Sequence, residues 1–269
     1  MPETLADVGL TSDGTASAVH GVGEPLVLIH GVGMQAGVWT PQIDALADTH
    51  QVIVYDMLGH GRSVLPREDP TLLDYANQLL GLLDFLGIEA ANVAGHSMGA
   101  LVALDFALRY PERCLRVAAL NAVYQRSPEQ SRAVLARAQG LTQGTSDATI
   151  QDTVARWMGD PPPEELKATA NALIDYLRSA NVEGYARTYK LFALSDRAHV
   201  GRLSALAMPS LFLTAEHDFN STPAMSEAMA SEVANAALVV VPSARHMVTV
   251  THPVEVNTAL AQWLHKPTA

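Results

Sequence analysis

The chain has 269 residues, 48% of them apolar and 17% charged, with a formal net charge of −11. That length fits one large domain or a domain with an insertion, with enough core to fold without staples. The acidity and the lack of Lys/Arg clusters argue against nucleic acid; the single cysteine, Cys114, excludes an intrachain disulfide; and no apolar run reaches the ~20 residues of a membrane span.

The first residues, MPETLADVGLTSDG, carry neither a basic nor an apolar leader region, so a cytoplasmic protein is expected. GTASAVHGVGE suggests an early edge strand. PLVLIH (25–30), QVIVYD (51–56), ANVAGH (91–96) and RVAALN (116–121) then read as strands, followed much later by PSLFLTA (209–215) and ALVVVP (237–242). They are continuous apolar runs, as strands covered on both faces require. Helical patterns fall at about 37–48, 71–87, 98–110, 222–235 and 252–265. The alternation predicts a doubly wound, mostly parallel sheet.

From 122 to 205 the strand pattern stops, and a structureless loop of that length is improbable. SPEQSRAVLARAQ offers Ser127 as N-cap, Pro128 as first helical residue and Gln130 as capping-box partner. SDATIQDTVARWM starts similarly at Ser146, and two further helical stretches follow. The expected organisation is a core of 1–121 and 206–269 with a helical cap, 122–205, inserted between two strands.

Ligands meet such sheets at the carboxyl ends of the strands. Three strand ends carry chemistry. Gly95-His96-Ser97-Met98-Gly99 fits G-x-S-x-G, in which the glycines permit a sharp strand-to-helix turn and the serine hydroxyl is exposed at a helix N-terminus. Asp218 follows the strand of 209–215, and His246 lies in the loop after the last strand. The order Ser97, Asp218, His246 is that of a nucleophile, an orienting acid and a base in this architecture. The backbone N–H groups of Met98 and of Val32, in HGVG (30–33), are expected to form an oxyanion hole, with Gly33 and Met34 as alternatives to Val32. His96 is expected to turn away from the reaction. A fourth strand end, YDMLGHGRS (55–63), is read as structural, with Asp56 and Ser63 satisfying buried backbone groups and His60 at the pocket rim.

HGVG, D-x-x-G-H-G-x-S (Asp56 to Ser63), GHSMG, EHD and the late histidine, taken in order, resemble the α/β-hydrolase superfamily over essentially the whole chain. The resemblance implies an eight-stranded sheet with a helical cap after the sixth strand. HGVGMQAGVW is similar to small carboxylesterases. VARWM and VEGYARTYKLFALSD are similar to 3-oxoadipate enol-lactonases. C–C hydrolases of aromatic-ring breakdown share the triad, but they usually carry a tryptophan after the histidine, where this chain has Met-Val-Thr-Val.

The expected activity is hydrolysis of a small ester, lactone or related acyl compound, amides and enamides included. The alternatives are a C–C hydrolase and a non-catalytic ligand receptor. Met34, Trp39, Trp157, Tyr185, Tyr189 and Phe192 are candidate pocket residues. Arg126, Arg156 and Arg187 are candidates to meet a substrate carboxylate. No metal or cofactor motif is present. The expected partner is a small-molecule substrate, without nucleic acid or membrane, and a homodimer is left open.

Overall fold

The computed structural model describes residues 9–141 and 144–268. The leader-free reading of residues 1–8, the assignment of 1–8 and 269 to the core, and residues 142–143 of the insertion lie outside the described residues. Eight strands form one sheet in the order β1-β2-β4-β3-β5-β6-β7-β8. They are β1 (Gly9–Leu10), β2 (Ala16–His20), β3 (Glu24–Ile29), β4 (His50–Tyr55), β5 (Ala91–His96), β6 (Cys114–Leu120), β7 (Ser210–Ala215) and β8 (Ala236–Val241). β2 runs antiparallel to β1 and β4, and β3 to β8 are parallel. Leu26 to Ile29 and Val52 to Tyr55 have no exposed surface, which is why both runs are apolar throughout. The early strand expected in 14–24 forms as β2, but the edge of the sheet is taken by β1, which precedes that stretch.

The core helices are α1 (Thr40–Leu46), α2 (Leu72–Phe85) and α3 (Met98–Arg109). The predicted helix at 37–48 begins instead with a 3₁₀ turn, Ala36–Trp39, and becomes α1 beside Pro41. The chain steps one way from β3 to β4 and the other way from β4 onward. Right-handed crossovers therefore place α1 on one face and α2 and α3 on the other. The step reverses at β3 and β5, so the ligand crevice of such a sheet should open at their carboxyl ends.

Among the described residues, four α-helices lie between β6 and β7: α4 (Pro128–Leu141), α5 (Asp147–Met158), α6 (Lys167–Ser179) and α7 (Val182–Leu194). Their starts follow local rules. The Ser127 N–H donates to Gln130 Oε1 (2.9 Å) and the Gln130 N–H to Ser127 Oγ (3.2 Å), a complete capping box. Ser146 accepts from the Thr149 N–H. After β7 come α8 (Pro223–Ser231), α9 (Val248–Thr251) and α10 (Pro253–Leu264). Among the described residues, no helix is long and apolar enough to cross a membrane.

α7 is fixed to the core at two points. Tyr75 of α2 and Thr188 of α7 share a buried hydrogen bond of 2.6 Å. Gly184 meets Gly59 backbone to backbone, so closely that a Cβ on Gly184 would stand 2.1 Å from the Gly59 carbonyl oxygen. Ala in place of a helical glycine ordinarily gains about 1 kcal/mol, while overpacking costs about 1–3 kcal/mol. The clash here is with backbone and should win. Gly184→Ala is expected to lose stability in urea melts, and a variant more stable than wild type would contradict this docking.

Candidate active site

Ser97 stands between β5 and α3 with φ 56° and ψ −114°. The turn is possible because two backbones touch. A Cβ on Gly95 would lie 2.0 Å from the Gly99 carbonyl oxygen, and one on Gly99 would lie 2.2 Å from that of Ile29. Only glycine fits either place. The Ser97 N–H is anchored on the Leu120 carbonyl at 2.8 Å. The side chain is left at the N-terminus of α3, where the helix dipole favours negative charge.

His246 lies beyond β8 and reaches Ser97 Oγ with Nε2 at 3.2 Å. Its Nδ1 is 2.7 Å from Asp218 Oδ2. An ionised carboxylate only accepts, so His246 Nδ1 carries the proton and Nε2 turns its lone pair to the serine. All three side chains are buried. Asp218 Oδ2 also accepts from Asn121 Nδ2 (2.8 Å), and Oδ1 accepts from the N–H groups of Asn220 (2.8 Å) and Ser221 (3.1 Å). Burial works against the Asp218 charge. His246, Asn121 and the Ser221 N–H together outweigh it and hold the carboxyl below the usual carboxylate range.

The loop after β3 lies against this turn. A Cβ on Gly31 would come within 3.3 Å of Ser97 Cβ. The Gly33 N–H donates to His60 Nε2 and the Met34 N–H to the Gly31 carbonyl. Of the three candidate N–H groups in this loop, Val32 alone has no hydrogen-bond partner among the described residues. Val32 and Ser97 line the same cavity.

That cavity has a volume of about 250 Å³, slightly below the usual range for drug-sized ligands. Met34, Arg156, Trp157, Tyr185, Tyr189 and Phe192 line it, as the sequence suggests. Trp39 does not: it closes the 3₁₀ turn and is fully buried in the core. Arg126 does not either. Its guanidinium is buried beside Asp196, stacks 4.5 Å from the Phe192 ring centre and donates to the carbonyls of Phe192 and Ala193. Arg187 pairs with Glu183 and the Pro66 carbonyl, away from the cavity.

Arg137, Thr149 and Thr153 also contribute to the polar wall and were not singled out by the sequence pattern. Arg137 donates to Tyr189 Oη (3.2 Å) and Arg156 to Thr153 Oγ1 (2.9 Å). The signal for Arg137 lies in helical spacing, since it flanks the buried stripe Val134, Ala138 and Leu141. Asp152 is also in the wall, so cationic side chains outnumber anionic ones.

His96 departs from expectation. Instead of turning away, it lines the cavity and donates from Nε2 to the His246 carbonyl at 2.8 Å. Burial, helped by the neighbouring His246, pushes its imidazole down to about 3, so it is neutral. Asp56 and Ser63 are structural, as expected. Asp56 accepts from the N–H groups of Ala36 and Arg62, and Ser63 accepts from that of Ala16. His60 is buried behind the loop and does not reach the rim.

Comparison with known proteins gives a consistent picture. A family model described as alpha/beta hydrolase fold matches residues 24–253. The (E)-2-((N-methylformamido)methylene)succinate hydrolase of Acinetobacter baylyi is 38% identical over 245 residues, covering 91% of this chain and 92% of that protein. The 3-oxoadipate enol-lactonase 1 of the same organism is 28% identical over 196 residues, 72% of this chain and 71% of its own. The crystal structure of the enol-lactonase from Burkholderia xenovorans superposes with a TM-score of 0.85 at 26% identity, covering 94% of this chain and 96% of that one.

The Asp218 environment has a consequence for stability. A carboxyl held below its ordinary pKa of about 3.9 stabilises the folded state above that pH. The contribution is lost as pH falls through the lower folded value. The stability advantage of wild type over Asp218→Asn in urea melts should therefore shrink steadily below about pH 4; an advantage that grows on acidification would contradict the assignment.

Proposed function

The chain belongs to the alpha/beta hydrolase fold family and is a hydrolase, and from that premise we propose that it cleaves a small, carboxylate-bearing acyl compound through Ser97, His246 and Asp218. The observation that carries this reading is the hydrogen-bonded line from Ser97 Oγ through His246 to Asp218, opening on a small cavity with two arginines in its wall.

Ser97 Oγ adds to the acyl carbon as His246 Nε2 takes its proton. The N–H groups of Val32 and Met98 receive the developing oxyanion. His246 then protonates the leaving group, and the acyl group remains on Ser97. A water molecule, deprotonated by His246, adds to the acyl-enzyme and releases the acid. Asp218 keeps the imidazole in the Nδ1–H tautomer and stabilises the imidazolium.

The inserted helices of 122–205 act as the cap and set substrate choice. Arg137 and Arg156 supply charge-assisted donors for carboxylate oxygens, and the cavity volume limits the substrate to a small acid derivative. The succinate skeleton in the name of the 38% identical relative fits such a wall. An ester, lactone or enamide of a small mono- or dicarboxylic acid is the substrate class.

A fluorophosphonate probe should modify Ser97 in the native protein and leave Ser97→Ala unlabelled; an inert Ser97 would overturn the reading. Arg137→Met and Arg156→Met should each raise KM for a carboxylated aryl ester by about 10-fold or more, the worth of a hydrogen bond to a charged group. The uncharged ester should be nearly unaffected. Equal losses on both esters would remove the arginines from substrate binding.

A further inference from the structure

Four of the ten histidines gather at the site: His96 and His246 in the cavity wall, His30 and His60 behind it. His30 and His60 have no part in the proton transfers above, and both are buried. Their bonds form an exchange between two loops. The Met57 N–H donates to His30 Nε2 at 3.0 Å, and the Gly33 N–H donates to His60 Nε2 at 3.0 Å. Each loop thus receives an imidazole acceptor from the other, and the two rings meet edge-on with centres 5.2 Å apart.

The exchange fixes the tautomers. A backbone N–H only donates, so Nε2 of each ring is unprotonated and Nδ1 holds the proton. His60 Nδ1–H points to the Leu58 carbonyl (3.1 Å) and His30 Nδ1–H to the Gly31 carbonyl (2.8 Å). That last carbonyl shares a peptide unit with the Val32 N–H. The unit is trans, so its C=O and N–H point in opposite directions. His30 and the Met34 N–H hold the oxygen on one side, and the Val32 N–H is turned to the other. Gly31 itself lies against Ser97. Half a turn of this peptide would break the His30 bond and present an oxygen where the oxyanion needs a donor.

We propose that His30 is a positioning residue, which locks the Gly31–Val32 peptide in the orientation that aims the Val32 N–H at the reaction. The proposal rests on Val32 as an oxyanion donor. Burial supports it by pushing His30 down to about 4 and His60 to about 3, so neither ring charges at neutral pH and both acceptors persist.

Steady-state kinetics on an aryl ester test it with three variants. His30→Leu removes the donor and should lower kcat by about 10²–10³-fold, the cost of losing one oxyanion donor, with little change in KM. His30→Asn keeps an amide N–H near the place of Nδ1 and should recover at least about tenfold of that loss. A folded His30→Leu with wild-type kcat, or equal losses in both variants, would overturn the proposal. Ring ¹⁵N NMR of wild type, with His30 assigned by its absence in His30→Asn, should show an Nδ1–H tautomer that does not titrate between pH 5 and 8. An Nε2–H tautomer would overturn it even where a variant fails to fold. Ser97→Ala separates the two ideas: activity surviving in that variant refutes the serine reading, whereas its loss beside an unimpaired His30→Leu refutes only the peptide lock.

Discussion

The backbone of Ser97 is held at φ 56°, in a region that costs a residue with a side chain of order 1–3 kcal/mol and persists only where the surroundings enforce it. Here they do. β5 is paired on both sides, with β3 and β6, so the strand entering the turn cannot shift. Gly95 lets the first turn of α3 close over the strand, and Gly99 packs on the Ile29 carbonyl at the end of β3. The same contact brings the loop of Gly31 and Val32 beside the serine. One sharp turn therefore places a hydroxyl, a helix N-terminus and a free backbone N–H together.

The arginines divide by how much water they keep. Arg126 is buried, and desolvation lowers its guanidinium to about 10. A charge so placed must be paired, and Asp196 and two carbonyls do this. Arg126 lies near the start of the inserted segment and Asp196 near its end, so the pair ties entrance to exit. With α7 pinned on Gly59 and Tyr75, the segment is anchored at its base. Arg137 is half-buried and Arg156 exposed, so neither needs the pairing that the buried Arg126 does.

Much of this was legible in the sequence where local rules and spacing act alone. The capping box of Ser127 and Gln130 formed as written, because its bonds span three residues. The strands of 91–96 and 209–215 were found within a residue, since parallel strands buried on both faces leave continuous apolar runs. Ser97, Asp218 and His246 were brought together as their order suggested. What stayed hidden depends on which way a side chain faces across the chain. Trp39 and Met34 have similar apolar surroundings in sequence, yet only Met34 reaches the cavity. Arg126 and Arg137 sit eleven positions apart, and nothing local says which will be paired off. Asn121 was the more accessible omission: it directly follows β6 at the carboxyl edge where ligand-facing groups collect, and it donates to Asp218.

The turn is proposed to deliver Ser97 as a nucleophile. Rapid acid quench of the enzyme with a chromogenic ester of a small carboxylic acid, followed by peptide mass mapping, tests it directly. A burst of released alcohol that matches the enzyme concentration, with the acyl mass on the peptide containing Ser97, is the expected result. Turnover of the same ester at full rate by Ser97→Ala, with no acyl adduct on the wild-type protein, would contradict it.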